Sequence, residues 1–417
     1  MSWSMILFPV WGSFLVPLAV AYYIIAFDVY WLYRSITLAG LALLSHFRIR
    51  ASETYDWMGD VSGFADWKKV FHAVIIPNYQ EPGGTLARTL RSLANQTLPA
   101  KQIIPIIAFE QRAGEELNRK REVALRAEFA GIFAKLMFTY HPGDIPGEVA
   151  GKSANSAWGA RELAAEIEKH KNWNPEMMTV SSADADVVFH PNHFAAVTFK
   201  FLDNPARYRR IWQGAVVFYN NIEKIAWPMR VYNRVASVVY MGLLMRPDRL
   251  INFSTYTLSW HLLSEIGSWD PDVIPDYIIK QYVLDNKAPF WDKTIRVFKV
   301  LEDHFLWPVN WFILTLGATL PPLINENFGR TVIGKTLPQV SSAILTASMV
   351  SLLVVIFVDW RSKPKVAGLS IWRRMFSPFE FILLPVVGFF FTALPGLDAH
   401  ARLMMGRYIE YRTTEKV

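Results

Sequence analysis

Long apolar runs at both ends of the chain constrain its fold most strongly. The first run covers residues 5–27, and three more follow the middle of the chain, at 305–324, 340–358 and 379–397. A helix needs about 20 predominantly apolar residues to cross a bilayer, and these runs are close to that length. Residues 29–50 form a further helical candidate with Arg34, which either returns across the membrane or lies at its surface. We therefore predict N-terminal transmembrane or interfacial helices, a domain with membrane-interface helices outside the bilayer, and C-terminal transmembrane helices, over 1–50, 51–303 and 304–417.

Positive charge beside the apolar runs predicts the orientation in the membrane. The connector 359–375 carries five lysine and arginine residues, whereas the connector 325–338 carries two. Cytoplasmic loops hold the excess of positive charge in membrane proteins. This places 359–375, and with it the middle of the chain, on the cytoplasmic side. We expect a multi-pass protein of the inner (plasma) membrane that contacts membrane lipids.

Composition excludes several classes of protein. Hydrophobic residues make up 52% of the chain and charged residues 19%, which fits a protein that is part membrane bundle and part aqueous domain. Basic residues beside membrane helices account for a net charge of +7, so we predict no nucleic-acid partner. The chain has no cysteine, which excludes disulfides, thiolate catalysis and cysteine zinc sites. Nothing in the sequence indicates an oligomeric state.

The middle of the chain alternates short apolar segments with charged helical ones. "HAVIIPNY" and "QIIPIIAF" predict buried strands, and the charged stretch 115–136 predicts an amphipathic helix. This alternation is typical of an α/β domain with a largely parallel sheet.

Two aspartates, Asp184 and Asp186, follow the short predicted strand "EMMTV". Ligands of open parallel sheets lie beyond the carboxyl ends of the strands, and residues i and i+2 of an extended chain point to the same side. Two carboxylates that face one site need a cation or a raised pKa, and with a ligand's phosphates they suit Mg²⁺ or Mn²⁺. The alternative is a solvated turn.

Two other segments could meet a phosphate. The segment "GEVAGKS" resembles a P-loop, but it has three residues between its glycines where that loop has four, so we reject an ATPase. Lys152 in this segment could still meet a phosphate as a point charge. The polar loop after "VIIP" carries Glu81, and it is either a nucleotide-binding loop or an ordinary strand-to-helix turn.

In chain order, "PNYQE", "GKSAN", "DAD", "IWQGAVVFYNN" and "SEIGSWDPDVIPDY" resemble the motifs of membrane-bound family 2 glycosyltransferases. The resemblance covers residues 67–277, and apolar helices flank it on both sides as in the integral-membrane members. It implies a GT-A fold, a Rossmann-like α/β domain, combined with transmembrane helices. It also implies inverting transfer from a nucleotide-diphosphate sugar, with Mg²⁺ or Mn²⁺ as cofactor.

The resemblance assigns the donor side of the site residue by residue. The matching positions, from the first nucleotide-binding loop to the ribose and diphosphate, are Pro77, Asn78, Glu81, Glu110, Lys152, Asn155 and Asp184. Glu110 stands near the base, where the family usually has an aspartate. Asp186, together with Asp184, would ligate the metal.

The acceptor side departs from the family pattern. The family's general base is an aspartate in an acidic pair after a "GGWDPD"-like segment, and here "GSWDPDVIPDY" offers Asp276 without the second acid. Either Asp276 is the base, or it aligns with the family's glutamate and Tyr277 takes the base position. The resemblance also places Gln213, Trp269 and Asp270 on the acceptor side, although Asp270 suits a proline turn as well. No QxxRW motif follows, which argues against long-chain polymer synthesis.

The sequence therefore predicts an enzyme, a family 2 hexosyltransferase that transfers a sugar to a lipid-linked or polysaccharide acceptor. The altered acidic pair and the missing QxxRW motif leave an alternative: a catalytically impaired GT-A-like membrane protein that binds sugar nucleotides or acts as a scaffold. Transport is a third hypothesis, which the membrane helices suggest. It is weak, because the apolar runs contain few charges and the chain shows no internal repeat.

Overall fold

The computed structural model describes residues 1–146, 148, 151–220, 222, 223, 225–246, 255–269, 289–364 and 371–407, without the side chains of 300, 303, 371, 373 and 374. It divides into two compact units. The helical unit comprises Met1–Ile49, Ala215–Leu250 and Tyr282–Arg412, and the sheet unit comprises Arg50–Gly214, Ile251–Gln281 and Thr413–Val417. The three regions expected from the sequence stay a prediction.

The elements are numbered in chain order. The strands are β1 Phe71–Asn78, β2 Ile103–Glu110, β3 Met137–His141, β4 Met178–Ser182, β5 Ile211–Trp212 and β6 Tyr256–Ser259. The helices are α1 Ser2–Leu15, α2 Pro17–Thr54, α3 Trp57–Ser62, α4 Gly83–Ala94, α5 Glu115–Glu128, α6 Lys152–Lys169, α7 His193–Asp203, α8 Trp227–Leu243, α9 Trp260–Glu265, α10 Phe290–Phe312, α11 Leu320–Ile324, α12 Glu326–Arg330, α13 Val332–Ser362, α14 Ile371–Phe376, α15 Leu384–Gly388 and α16 Leu394–Met404.

A mixed sheet forms the centre of the sheet unit, with the described strands in the order β3-β2-β1-β4-β6-β5. Strand β1 pairs in parallel with β2 and β4, and β2 pairs in parallel with β3. Strand β6 runs antiparallel to both β4 and β5. The predicted α/β domain with parallel strands is confirmed, as are the strands at "HAVIIPNY" and "QIIPIIAF". The helix predicted over 115–136 is present as α5, but it ends earlier, at Glu128.

Both faces of the central strands are buried, which explains why they are continuously apolar in sequence. Val74 and Ile76 of β1 pack with residues of α4 and α5, whereas Ala73 and Ile75 pack with residues of α6. All four side chains are fully buried. Successive side chains of a strand point to opposite faces, so each central strand contributes to two cores. The parallel strands β1, β2, β3 and β4 end at one edge of the sheet.

A histidine is buried within this sheet. His72 Nδ1 lies 2.6 Å from Thr179 Oγ1, and Nε2 lies 2.8 Å from Thr198 Oγ1. The Thr198 hydroxyl donates to the Phe194 carbonyl oxygen at 2.7 Å, so it accepts from Nε2–H, and Nδ1 accepts from the Thr179 hydroxyl. Burial, with a smaller effect of the neighbouring His193, lowers the pKa of His72 to about 3. The ring is therefore neutral at physiological pH.

The helical unit contains helices that could cross a membrane. Among the described residues, three helical stretches are long and apolar enough, namely Pro17–Thr54, Val332–Ser362 and Ser377–Met404. The apolar run at 305–324 does not form such a stretch. Helix α10 ends at Phe312, a π-helical turn covers Ile313–Gly317, and α11 carries two prolines in its first turn.

The N-terminal run 5–27 is divided between two helices. Helix α1 ends at Leu15, and Val16 has φ −141° and ψ 58° ahead of Pro17. Proline disfavours the helical conformation in the residue before it, which explains the break. Helix α2 then continues to Thr54, so residues 29–50 extend one helix and do not form the separate helix that the sequence suggested.

Buried charges connect three segments of the helical unit. Arg234 of α8 and Asp359 of α13 are both fully buried, and Arg234 Nη2 lies 2.5 Å from Asp359 Oδ2. Arg234 also contacts Glu380 at 2.9 Å, and Arg230 contacts the same glutamate at 2.6 Å. The Tyr219 hydroxyl donates to the second oxygen of Asp359 at 3.1 Å. Removing one partner of such a network would leave a buried charge without compensation.

Candidate functional site

The loop after β1 is held in one conformation by hydrogen bonds from its own residues and from α5. Asn78, which is almost fully buried at the end of β1, donates from Nδ2 to Glu81 Oε2 at 3.0 Å. The backbone N–H of Tyr79 donates to the same oxygen at 2.9 Å. Arg121 donates to Asn78 Oδ1 at 3.0 Å and to the Gln80 carbonyl oxygen at 3.1 Å. The predicted loop residues Asn78 and Glu81 therefore lie together at the carboxyl edge of the sheet.

Arg121 is a residue of this loop region that the sequence did not reveal. Burial lowers its pKa, and the charge of Glu81 opposes that effect. In the sequence Arg121 is one of several charged residues of an amphipathic helix, so hydrophobic periodicity does not single it out as a site residue. Its partners come from a loop some forty residues earlier, at separations of 41 and 43 residues.

The predicted phosphate-binding lysine lies next to the predicted aspartate. Helix α6 begins at Lys152, and Lys152 Nζ lies 2.6 Å from Asp184 Oδ1 beyond the end of β4. The two side chains are 37% and 27% exposed, so the pair is accessible from solvent. The amino end of a helix attracts anions. A cationic side chain, a helix terminus and a carboxylate thus meet at one edge of the sheet.

Asn155 is buried behind this pair. It is fully buried, and its Nδ2 donates to the Ala108 carbonyl oxygen of β2 at 2.7 Å. Its Oδ1 is buried and accepts no hydrogen bond from the described residues. The Nδ2 bond anchors the first turn of α6 to the sheet, and the predicted contact of Asn155 with a nucleotide stays a prediction. Pro77 also belongs to the sheet: it is a residue of β1 and pairs with Ala108 of β2.

The two aspartates of "DAD" lie in a turn. Strand β4 ends at Ser182, and the Val187 N–H donates to the Asp184 carbonyl oxygen at 3.2 Å. The Thr89 hydroxyl of α4 fixes the turn by donating to the Ala185 carbonyl oxygen at 2.7 Å. The extended geometry that we expected to point both carboxylates to one side is therefore wrong, because the chain folds over immediately after the strand.

A cation at this turn would have few ligands from the protein. Asp184 and Asp186 are both partly exposed, and no group of three or more acidic or histidine side chains suited to a metal occurs among the described residues. Mg²⁺ is commonly bound by one or two carboxylates together with substrate phosphates. Asp184 lies beside Lys152, and a carboxylate in that position fits a cation that shares its ligands with a diphosphate.

A narrow cleft lies at the carboxyl ends of β2 and β3. Its polar lining includes Glu110, Arg112, His141 and Glu148, and it has room for about one water molecule. Glu110 and His141 are partners across the two strands. Arg112 Nε contacts Glu110 Oε2, and His141 Nε2 lies 2.8 Å from Glu148 Oε2. The Arg112 guanidinium also lies over the Tyr79 ring, 4.5 Å from its centre. The sequence predicted Glu110 but not the other residues of this cleft, whose partners depend on strand register.

The predicted acceptor-side residues have structural partners where they are described. Gln213 Nε2 donates to the Thr255 carbonyl oxygen at 2.5 Å, which ties the end of β5 to the start of β6. Trp269 is partly buried, and its Nε1 donates to the Tyr256 hydroxyl at 2.5 Å. Asp270 and the predicted base Asp276 lie outside the described residues.

Known proteins are similar to this chain at the level of solved structure. No protein-family model matches the chain, and no curated protein matches it. Among solved structures, the chain is similar to mannosyltransferase PcManGT from Pyrobaculum calidifontis, which was determined in complex with GDP-Man and Mn²⁺. That similarity covers 92% of this chain and 100% of the other, at 12% identity and a TM-score of 0.37. Similarity at this level does not establish a shared family.

Proposed function

We propose that the protein is an integral-membrane inverting glycosyltransferase of family 2 with a GT-A domain. It moves a sugar from a nucleotide-diphosphate sugar to a lipid-linked or polysaccharide acceptor. The observation that supports the proposal best is the contact of Lys152 with Asp184 at the carboxyl edge of a parallel sheet, 2.6 Å apart. The resemblance to family 2 glycosyltransferases independently implies that both residues belong to the donor side.

The donor's diphosphate would bind between the amino end of α6 and the turn after β4. Lys152 would move its ammonium group from Asp184 to a phosphate oxygen, exchanging one anionic partner for another. The 18-residue helix α6 adds a favourable dipole at its amino end. The loop that Asn78, Glu81 and Arg121 hold in place would support the nucleoside.

Asp184 and Asp186 would hold a Mg²⁺ or Mn²⁺ ion that arrives with the donor. When bound, such an ion supplies positive charge that stabilises the leaving diphosphate. Lys152 supplies charge of the same sign from the protein itself, and the partly exposed position of the pair leaves room for the exchange. On this proposal Asp186 is needed for metal-dependent transfer and Lys152 for donor binding.

Asp276 would take the proton from the acceptor hydroxyl as that hydroxyl attacks the anomeric carbon of the donor. A carboxylate suits this role because burial beside an apolar acceptor raises its basicity. The assignment rests on the resemblance of "GSWDPDVIPDY" to the family motif, with Gln213, Trp269 and Asp270 on the acceptor side.

The membrane is part of the proposal. The potential membrane helices expose large apolar side chains, for example Val350 (64%), Leu353 (66%) and Ile382 (73%), which lipid would cover. With the basic connector on the cytoplasmic side, the catalytic domain faces the cytoplasm. Membrane helices in the same chain fit a lipid-linked acceptor, which is itself held in a bilayer.

Donor turnover by the purified full-length protein tests the proposal. Nucleotide release from a panel of nucleotide sugars is measured with Mn²⁺, with Mg²⁺ and with EDTA, in the presence of a membrane lipid extract. We expect metal-dependent turnover that Asp186→Ala abolishes and that Asp203→Ala, an exposed aspartate at the end of α7, leaves unchanged. Full activity of Asp186→Ala, or turnover that EDTA does not reduce, would refute the metal assignment.

The second candidate is a sugar-nucleotide-binding membrane protein without transferase activity. The single acid in "IPDY" and the missing QxxRW motif favour it. Tight, metal-dependent donor binding without transfer or hydrolysis across many acceptors would distinguish it from the enzyme.

A further inference from the structure

We propose that Asp28 of α2 is an intramembrane proton-binding site, at which burial between α2 and α13 holds the carboxyl group as a neutral acid. The proposal concerns the helical unit alone and does not depend on the transferase assignment. The ligand of the site is a proton, and a single acceptor oxygen beside the acid is enough to satisfy it.

The carboxyl group of Asp28 is buried without a partner. The residue is fully buried, and neither carboxyl oxygen accepts a hydrogen bond from the described residues. No cationic side chain in the described part of the chain forms an ion pair with it. Burial of an ionised carboxylate without a counter-charge costs far more than burial of a neutral acid. A bound proton removes that charge and gives the group an O–H donor.

The surroundings of Asp28 are apolar except for one hydroxyl group. Ile24, one turn earlier on α2, shares a buried core with Leu337 of α13, and Phe27 shares another with residues of α10. The Ser341 hydroxyl, one turn after Leu337 on α13, lies beside the carboxyl group but outside hydrogen-bond geometry. Ser341 is itself almost fully buried. A proton on Asp28 would let the carboxyl group donate to the Ser341 oxygen.

The position of Asp28 along α2 puts it at the depth of the hydrocarbon core. A helix rises about 1.5 Å per residue, so Asp28 lies about 16 Å beyond Pro17, the first residue of α2. The hydrocarbon core of a bilayer is about 30 Å thick, and Pro17–Thr54 is one of the stretches that could span it. Ionisable residues at that depth are rare, and those that occur commonly mark a functional site.

The ionisable groups of the neighbouring helices are engaged elsewhere or exposed. Arg34 of α2 contacts Glu302 of α10 at 3.0 Å. On α13, Asp359 belongs to the network of buried charges described above, and Lys335 is exposed. Helix α1 has no ionisable side chain. A counter-charge for an ionised Asp28 is therefore missing from the described parts of these helices.

A metal cation fits the position less well than a proton. Hard cations such as Mg²⁺ and Ca²⁺ take several oxygen ligands, and Ser341 is the one polar side chain that the described residues place beside the carboxyl group. A proton needs only one such oxygen. Its loss would leave a bare charge in the contact between α2 and α13, so the packing of these helices depends on the bound proton.

Infrared spectroscopy of the purified full-length protein in detergent tests the proposal. A protonated carboxyl group has a carbonyl stretch at higher frequency than the amide I band, whereas an ionised carboxylate absorbs at lower frequency. Spectra of the wild type and of Asp28→Asn are recorded at neutral pH and subtracted. We expect an acid band in the wild type that shifts in D₂O and is lost in Asp28→Asn. The control is Asp398→Asn, which changes an exposed aspartate of α16 and should keep the band.

A second variant tests the contact with α13 without changing the aspartate. Ser341→Ala removes the acceptor oxygen, so the acid band should move to higher frequency and keep its intensity. Asp28→Asn replaces a neutral acid by a neutral amide of the same shape, so its melting temperature should stay at the wild-type value. If Asp28→Asn does not fold, the frequency shift in Ser341→Ala assigns the band on its own.

Three results would overturn the proposal. The first is a wild-type protein without an acid band at neutral pH, and the second is a band that neither variant changes. The third is a band that appears only after Na⁺ and K⁺ are removed, because the site would then hold a metal cation. Failure of the protein to turn over any nucleotide sugar would leave this proposal standing, since the acid band is measured without a nucleotide.

Discussion

The buried His72 predicts a specific loss of stability in mild acid. Its ordinary pKa is 6.5, and in the folded sheet unit burial lowers that value to about 3. Below about pH 6.5 the unfolded chain binds a proton that the folded chain does not accept, so the unfolding free energy falls as the pH falls. His72 therefore leaves the unfolding free energy unchanged above about pH 6.5 and lowers it progressively between about pH 6.5 and about pH 3.

The size of the effect follows from the difference in pKa. Each pH unit between the two pKa values changes the unfolding free energy by about 1.4 kcal/mol. At about pH 5 the folded sheet unit is therefore expected to lose about 2 kcal/mol relative to pH 7.5 through His72 alone. Carboxylate titration contributes mainly at lower pH, since ordinary carboxyl pKa values are near 4.

The perturbation is His72→Gln, whose amide can both donate and accept toward Thr179 and Thr198 but does not titrate. Resistance of the sheet unit to pulse proteolysis in urea is compared at about pH 7.5 and about pH 5, because cleavage of the open state reports the free energy of opening. We expect the wild type to lose about 2 kcal/mol more than the variant over this interval. The exposed His190→Gln is the control and should behave as the wild type.

Only the difference in pH dependence matters for this test, since His72→Gln can be less stable at both pH values. If the wild type and the variant lose the same unfolding free energy between about pH 7.5 and about pH 5, within about 0.5 kcal/mol, the conclusion that a neutral buried imidazole limits stability in acid is refuted.

Three further predictions concern other buried or paired groups. Lys152→Met should weaken binding of a nucleoside diphosphate about tenfold or more, because a charge-assisted contact to phosphate is lost; calorimetry with Mn²⁺ checks this, and unchanged affinity would contradict it. Arg121→Met removes the donors to Asn78 and the Gln80 carbonyl oxygen, so we expect a loss of about 2 kcal/mol in sheet-unit stability by urea proteolysis, together with weaker nucleotide binding. Asp359→Asn leaves the buried Arg234 without its full counter-charge, and we expect a loss of about 3 kcal/mol seen as a lower melting temperature in detergent; an unchanged melting temperature would show that the pair is not needed.

Hydrophobic patterning was sufficient to predict much of the sheet unit. The strands β1 and β2 and the helix α5 were predicted because continuous apolar runs and a 3.6-residue period are local properties of the chain. The positions of Asp184 and Asp186 after a strand followed from the same pattern, whereas Lys152 was singled out by the segment "GEVAGKS" and by its residue type. The sequence also predicted long apolar helices, three of which occur among the described residues.

Several features depended on residues far apart in the chain. Lys152 meets Asp184 across 32 residues, and Arg121 reaches the loop after β1 across some forty, through the packing of helices on the sheet. Two other differences from the expected geometry are local. The helix breaks at Val16 and the chain turns at Asp184, and apolar periodicity alone predicts neither of these backbone conformations.

The sequence by itself determined which residues could bury apolar surface and which carried charge at the strand ends, because burial and charge are properties of single side chains and their spacing. Only the tertiary structure decided which of those charged groups pair, because strand order and register bring together segments that no local pattern connects. That is why Asp184 could be singled out from "DAD" and the motifs around it, whereas its contact with Lys152 and the arrangement of Glu110, Arg112 and Glu148 in one cleft could not be predicted.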